Sequence, residues 1–184
     1  MVQNRDNVKL EIISTLIRQS LHVRGIASQL NQSHSTIARA LIGLEKENAV
    51  NSQLVGKNKL YSLKKNLIGR SYVFRTEYYK LERLLYKFHL LEPILEDILT
   101  RCKENIIILF GSYAKFTPKK DSDIDVYIGT KSLKLKKELE KINSKLSIKI
   151  GELNPESLLV KEIIKNHVIL NGVEEFYEKT RFFK

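Results

Sequence analysis

Two aspartates, Asp123 and Asp125, stand one residue apart in the stretch Asp123-Ile124-Asp125-Val126-Tyr127-Ile128. Polar and apolar residues alternate there, which predicts a strand. On a strand, residues i and i+2 face the same side, so both carboxylates project together, about 7 Å apart along the backbone. Carboxylates so placed can converge on magnesium, a hard cation that takes oxygen ligands and keeps water or phosphate oxygens in its remaining positions. Ile124 and Val126 point to the opposite face and anchor the strand. Asp121 has the same parity but sits at the strand mouth, where a turn role suits it better.

These residues need elements to hold them. Asn105 to Phe110 is a short apolar run that reads as a buried central strand. Gly111-Ser112 ends it, and glycine lets the backbone approach a ligand closely. If Ser112 opens a helix, its free backbone amides form an anion site fit for phosphate. The loop 116–122 carries Pro118 and Lys119-Lys120. Ser132 caps an expected helix from Leu133 to Ile142, and Leu146 to Leu153 reads as a further strand. Asn154 and Pro155 are expected to open a helix running to about Asn166. A short strand from His167, a turn at Asn171-Gly172 and a last helix from Val173 complete the chain. His167 reads as structural. The expected fold is mixed α+β.

Gly111, Ser112, Asp123 and Asp125, set on an apolar strand, a turn, a loop and a second strand, resemble the signature of the DNA polymerase beta nucleotidyltransferase superfamily. The likeness is strongest to the minimal nucleotidyltransferases of prokaryotes and covers about residues 90–180. It implies a small nucleotidyltransferase-like α/β domain with a mixed sheet. It also implies transfer of a nucleoside monophosphate from ATP or another NTP to a hydroxyl, with Mg2+ held by Asp123 and Asp125. Gly111 and Ser112 would then hold phosphates, and Lys115 would add charge where relatives often place arginine. Active members use a third carboxylate on a later strand. Here that member is either Glu152, if a bulge at Gly151 re-aims it, or absent. Relatives of this kind are often antitoxins that nucleotidylate a partner toxin, so a protein tyrosine or an RNA end is the acceptor implied.

The first third reads differently. Asn7 to Arg18, His22 to Leu30 and a segment capped by Ser33 each carry an apolar helical stripe. Ala49 to Leu63 then forms two strand-like runs around Gly56-Lys57-Asn58, a hairpin signal. Three helices and a hairpin resemble the winged helix-turn-helix family over about residues 5–65. The resemblance implies DNA binding, with Ser33, His34, Ser35, Thr36 and Arg39 at a major groove and Lys57, Asn58 and Lys59 on the wing. A winged helix used only for protein contact is the alternative. Residues 66–102 form a helical connector, broken or restarted at Glu92-Pro93. It is either a linker packed on one domain or a dimerising helix that would make a homodimer. Residues 103–184 hold the nucleotidyltransferase-like part.

Composition fits this organisation. The 184 residues carry a net charge of +11. Residues 1–65 hold 10 Lys+Arg against 4 Asp+Glu, so the first third is the more densely basic part, which suits a polyanion such as nucleic acid. Cys102 is the only cysteine, which excludes a disulfide framework within the chain and fits a reducing compartment. The N-terminal residues carry no apolar signal core, and no apolar run reaches membrane-spanning length. A soluble, cytoplasmic protein is expected. Two functions follow: a nucleotidyltransferase with a DNA-binding domain, or a DNA-binding regulator whose transferase-like domain senses nucleotide or holds a partner.

Overall fold

A computed structural model describes residues 5–184, and it describes side chains from Asn7 onward. The fold is mixed α+β. The chain divides into two compact units, one reaching to Tyr79 and one from Lys80 to Lys184.

In the first unit, α1 (Arg5–Leu16), α2 (Val23–Leu30) and α3 (His34–Lys46) pack through Ile12, Ile13, Ile26, Ile37, Leu41 and Leu44, all fully buried. The Ser33 hydroxyl caps α3 by accepting from the Thr36 amide at 3.1 Å. Strands β2 (Val50–Val55) and β3 (Asn58–Leu63) pair antiparallel in a register closed by Val55 opposite Asn58. The turn is Gly56-Lys57, with Gly56 at φ 62°, and Asn58 is already in the ladder. A two-residue strand, β1 (Leu21–His22), adds to the other side of β3. No sequence periodicity signals it, because two residues carry no alternation. Helix α4 (Leu67–Lys87) is one continuous 21-residue helix, whose first part belongs to this unit and whose last turns belong to the second. Within the first unit, the Tyr72 hydroxyl and the Lys9 ammonium both engage Glu47. These bonds hold the Glu47 carboxyl below its ordinary range, while burial and the Glu47 bond push Tyr72 up to about 12.

The second unit is built on a four-stranded mixed sheet in the order β6-β5-β4-β7. The strands are β4 (Ile107–Phe110), β5 (Ile124–Ile128), β6 (Leu146–Ile150) and β7 (Val168–Asn171). β4 is buried throughout and pairs antiparallel with both β5 and β7, whereas β5 and β6 run parallel. A parallel pair needs a crossover, supplied by α7 (Leu133–Leu139), which Ser132 caps through the Leu135 amide. One core joins Leu84 of α4 and Leu95 and Ile98 of α5 (Glu92–Arg101) to Leu109, Val126 and Ile148 of the sheet. α8 (Leu158–Lys165) starts later than the Asn154-Pro155 signal predicts, and Ser157 is its cap. Asn154 is used in a turn instead, where its Oδ1 accepts from the Glu156 amide. α9 (Val173–Lys179) ends the fold. His167 is structural, with Nδ1 2.9 Å from the Ile163 carbonyl oxygen and its ring against Phe176. Among the described residues, no helix is long and apolar enough to cross a membrane.

Candidate active site

The site begins where β4 stops. Phe110 pairs with Asp125 across the antiparallel ladder, and the chain then turns at Gly111 with φ 71° into a one-turn helix, α6 (Gly111–Ala114). Gly111, rather than Ser112, is thus the first helical residue. A side chain at Gly111 has no room: an ideal Cβ would lie 2.3 Å from Asp125 Oδ2 and 3.1 Å from its Cγ. The Asp125 carboxylate therefore rests on the α-carbon of Gly111. The left-handed φ and the missing Cβ are two separate reasons for glycine there.

Asp125 lies on β5 with Tyr127 on the same face, and Asp123 stands one residue before the strand, close enough for its charge to act on Asp125. Asp123, just before the strand, is exposed, Asp125 is half-buried, and Tyr127 on the same side is buried. Burial pushes the Asp125 carboxyl up, and the neighbouring Asp123 carboxylate pushes the same way. A hydrogen bond from Ser147 and the charge of Lys149 act in the opposite direction. A carboxylate raised by burial and a second carboxylate is a group that a divalent cation would relieve.

Loop bonds fix where Asp123 stands. Ser122 Oγ accepts from the Lys119 amide at 2.8 Å, and the Lys145 ammonium donates to the Lys120 carbonyl at 2.8 Å. The Ile124 amide donates to the Lys145 carbonyl at 2.8 Å. On the other side, Phe116 takes a left-handed φ of 60°. The Lys87 ammonium donates to its carbonyl at 3.0 Å, while Arg83 and Phe88 lie against its ring. This clamp has little signature in the sequence. Its one signal is an aromatic pair, Phe88 and Phe116, far apart in the chain.

Lys115 follows α6, and its ammonium pairs with Glu162 of α8 at 3.0 Å. The pair is half-exposed and holds the Glu162 carboxyl low. Solvent screens an exposed pair of this kind, so a phosphate can take Lys115 at small cost. Ser112 ties the loop through its carbonyl, which accepts from the Thr117 amide at 3.0 Å.

Glu152 is not brought to the aspartates. The parallel register sets Asp125 opposite Ser147 and Tyr127 opposite Lys149, so Glu152 lies past the far end of β6. There Glu152 is exposed, and its carboxylate accepts from the Lys131 ammonium at 2.6 Å, which holds its carboxyl low. No bulge at Gly151 turns it back, because β6 has already ended at Ile150. Among the described residues, no group of three His, Cys, Asp or Glu side chains could hold a metal. The β6 residues on the face of Asp125 are a hydroxyl, Ser147, and an ammonium, Lys149.

In the first unit, His34, Ser35 and Arg39 are exposed at the start of α3, and Thr36 is partly exposed. The Ser33 hydroxyl is taken up by capping and by the Ser35 and Thr36 hydroxyls. Arg39 lies back along the helix, with Nε 3.4 Å from the Ser35 carbonyl oxygen. Lys57, Asn58 and Lys59 are exposed at the hairpin tip, and Lys59 lies 4.0 Å from Glu45.

Residues 95–175 match the family described as Polymerase beta, Nucleotidyltransferase. A stretch of 80 residues is 41% identical to a protein of Methanocaldococcus jannaschii that carries the provisional name protein adenylyltransferase. That match covers 42% of this chain and 63% of the relative, so the chain spans a little under two thirds of the relative's length. No solved structure matches the chain. Over residues 95–175 the second unit therefore resembles a nucleotidyltransferase domain.

Proposed function

We propose that this domain transfers a nucleoside monophosphate from an NTP, ATP first among them, to a hydroxyl on an acceptor: the acceptor oxygen bonds to the α-phosphorus and gives up its proton, the bond from the α-phosphorus to the bridging oxygen breaks, and pyrophosphate leaves. The observation that carries the reading is the Asp125 carboxylate seated on Gly111, with Asp123 one residue before the strand and close enough for its charge to act on Asp125, inside the region that matches the family. Two carboxylates that repel one another suit Mg2+, which completes its shell with phosphate oxygens and water. When bound, Mg2+ would supply charge neutralisation at the triphosphate. The chain's own residues would do the rest. Asp123 and Asp125 hold the cation side of the substrate, and Gly111 lets phosphate approach the backbone. Ser112 and Lys115 offer a hydroxyl and an ammonium to the phosphates. The relative's name supports a protein hydroxyl as acceptor, as an antitoxin acting on a toxin would need; an RNA end is the other acceptor class.

The direct test supplies ATP labelled at the α- or the γ-phosphate, with magnesium, candidate protein partners and RNA. Acceptor label is expected from the α-labelled nucleotide only, and it should vanish with EDTA. Label from the γ-position would replace this reading with phosphoryl transfer.

The first unit is proposed to bind DNA through the α3 start and the hairpin tip, where exposed Arg39 and Lys57 offer cationic contacts. Replacing both with alanine should weaken DNA binding and flatten its salt dependence by about one counterion per lost phosphate contact. Unchanged affinity and slope at moderate salt would remove this face from consideration. A second reading has one observation in its favour, the lack, among the described residues, of a third acid at the aspartate pair. Under it the protein is a DNA-binding regulator whose transferase-like domain binds nucleotide without turnover. ATP binding and salt-sensitive DNA binding, with no label on any acceptor, would select it.

A further inference from the structure

We propose that Ser147 and Lys149 together take the place of a third acid, so that the site works with a single divalent cation. The Ser147 hydroxyl fixes Asp125, and the Lys149 ammonium supplies the second positive charge. The inference rests on the reading of Asp123 and Asp125 as cation ligands.

Three observations converge. First, the register places both residues. β5 and β6 run parallel with Asp125 opposite Ser147 and Tyr127 opposite Lys149, and residues opposite each other in a sheet share a face. Ser147 and Lys149 thus line the face of Asp125, while Ile148 between them is 1% exposed in the core on the other side. Second, Asp125 is gripped from two directions. Gly111 lies against its Oδ2, and the register sets the Ser147 hydroxyl opposite it, on the same face, where it acts to lower the Asp125 carboxyl. A carboxylate so held presents a fixed oxygen rather than a rotating one, which lowers the ordering cost of ligation. Third, Lys149 is exposed and its charge reaches Asp125. The acid nearest in sequence, Glu152, is held by Lys131 beyond the end of the strand. The side of the site facing β6 therefore carries positive charge. A second cation there would meet repulsion, and phosphate oxygens would meet an ammonium, a compact charge that binds phosphate without bidentate geometry.

Binding of Mn2+ to the full-length protein, without nucleotide, tests the idea independently of turnover. Paramagnetic resonance should count one equivalent in the wild type, lost in Asp123→Asn plus Asp125→Asn. Lys149→Met keeps the stem and drops the charge, and it should bind that equivalent more tightly by at least a few-fold. Lys149→Asp should admit a second equivalent. Ser147→Ala should weaken the single site about tenfold, and Ser147→Thr should restore it, as a purely structural role for the residue would not. Two aspartate-dependent equivalents in the wild type overturn the proposal, as does a Lys149→Met variant with unchanged affinity. If the manganese results hold while no acceptor is labelled, the single-cation site stands and the transferase reading falls. If label is transferred with two equivalents bound, the reverse follows.

Discussion

Asp125→Asn is expected to abolish nucleotidyl transfer while making the protein more stable at neutral pH. Loss of a carboxylate that would hold the cation removes the charge stabilisation the cation would supply at the triphosphate, which costs on the order of a thousandfold in rate. The gain in stability follows from the direction of the pKa shift. Burial, the largest cause, and then the Asp123 charge raise the Asp125 carboxyl above its model-compound value. The folded state thus binds the proton more readily than the unfolded state does. Stability from this group is full at low pH and is lost as pH rises through the raised pKa. At pH 7 the ionised carboxylate is a burden, and asparagine removes it. Asparagine Oδ1 can still accept a hydrogen bond from the Ser147 hydroxyl on the same face. Urea unfolding at pH 7 should show the variant ahead of the wild type, with the gap closing as pH falls below the ordinary carboxylate range. A variant that transfers label normally, or one less stable at pH 7, contradicts this account of the site.

Gly111→Ala is the second large expectation, and here activity and stability fall together. A left-handed φ costs a non-glycine residue about 1–2 kcal/mol. The new methyl would also sit 2.3 Å from Asp125 Oδ2, an overlap in the class that costs about 1–3 kcal/mol. The sum is about 2–5 kcal/mol. The overlap is relieved by pushing the Asp125 carboxylate aside, and a displacement near 1 Å costs about a hundredfold in rate. The two costs separate in a second background. With Asp125→Ala the overlap has no carboxylate to strike, so Gly111→Ala should then cost only its backbone part. An equal cost in both backgrounds would show that Gly111 acts through its backbone alone.

The aspartate pair was legible because its geometry is local. Period 2 places Asp123 and Asp125 on one face whatever the strand pairs with, and the apolar run before Gly111 marks the strand end. Helix caps at Ser33 and Ser132 were legible for the same reason. The part the sequence hid is the part set by pairing over distance. Nothing in Leu146-Ser147-Ile148-Lys149-Ile150 says which residue meets Asp125. A parallel register depends on how the α7 crossover lands, and it is this register that brings in Ser147 and leaves Glu152 beyond the strand. Parity did carry a warning, since Glu152 shares the side of Ile148 and Ile150. Ser157 displaced Asn154 as the α8 cap because asparagine serves a turn as readily as a helix start, and tertiary context chose the turn. The Phe116 clamp was hidden likewise, because it joins the end of α4 to a loop after α6.

The sheet order gives Lys149 a consequence unrelated to phosphate. β6 is one of the two edge strands of the sheet, so its outer edge presents backbone groups that another extended chain could take up. Short edge strands marked by lysine resist such addition. β6 is five residues long and bears Lys149 near its end. The charge that would face the nucleotide also discourages this domain from pairing sheet to sheet with its own copies, so pressure on position 149 has two sources, solubility as well as chemistry.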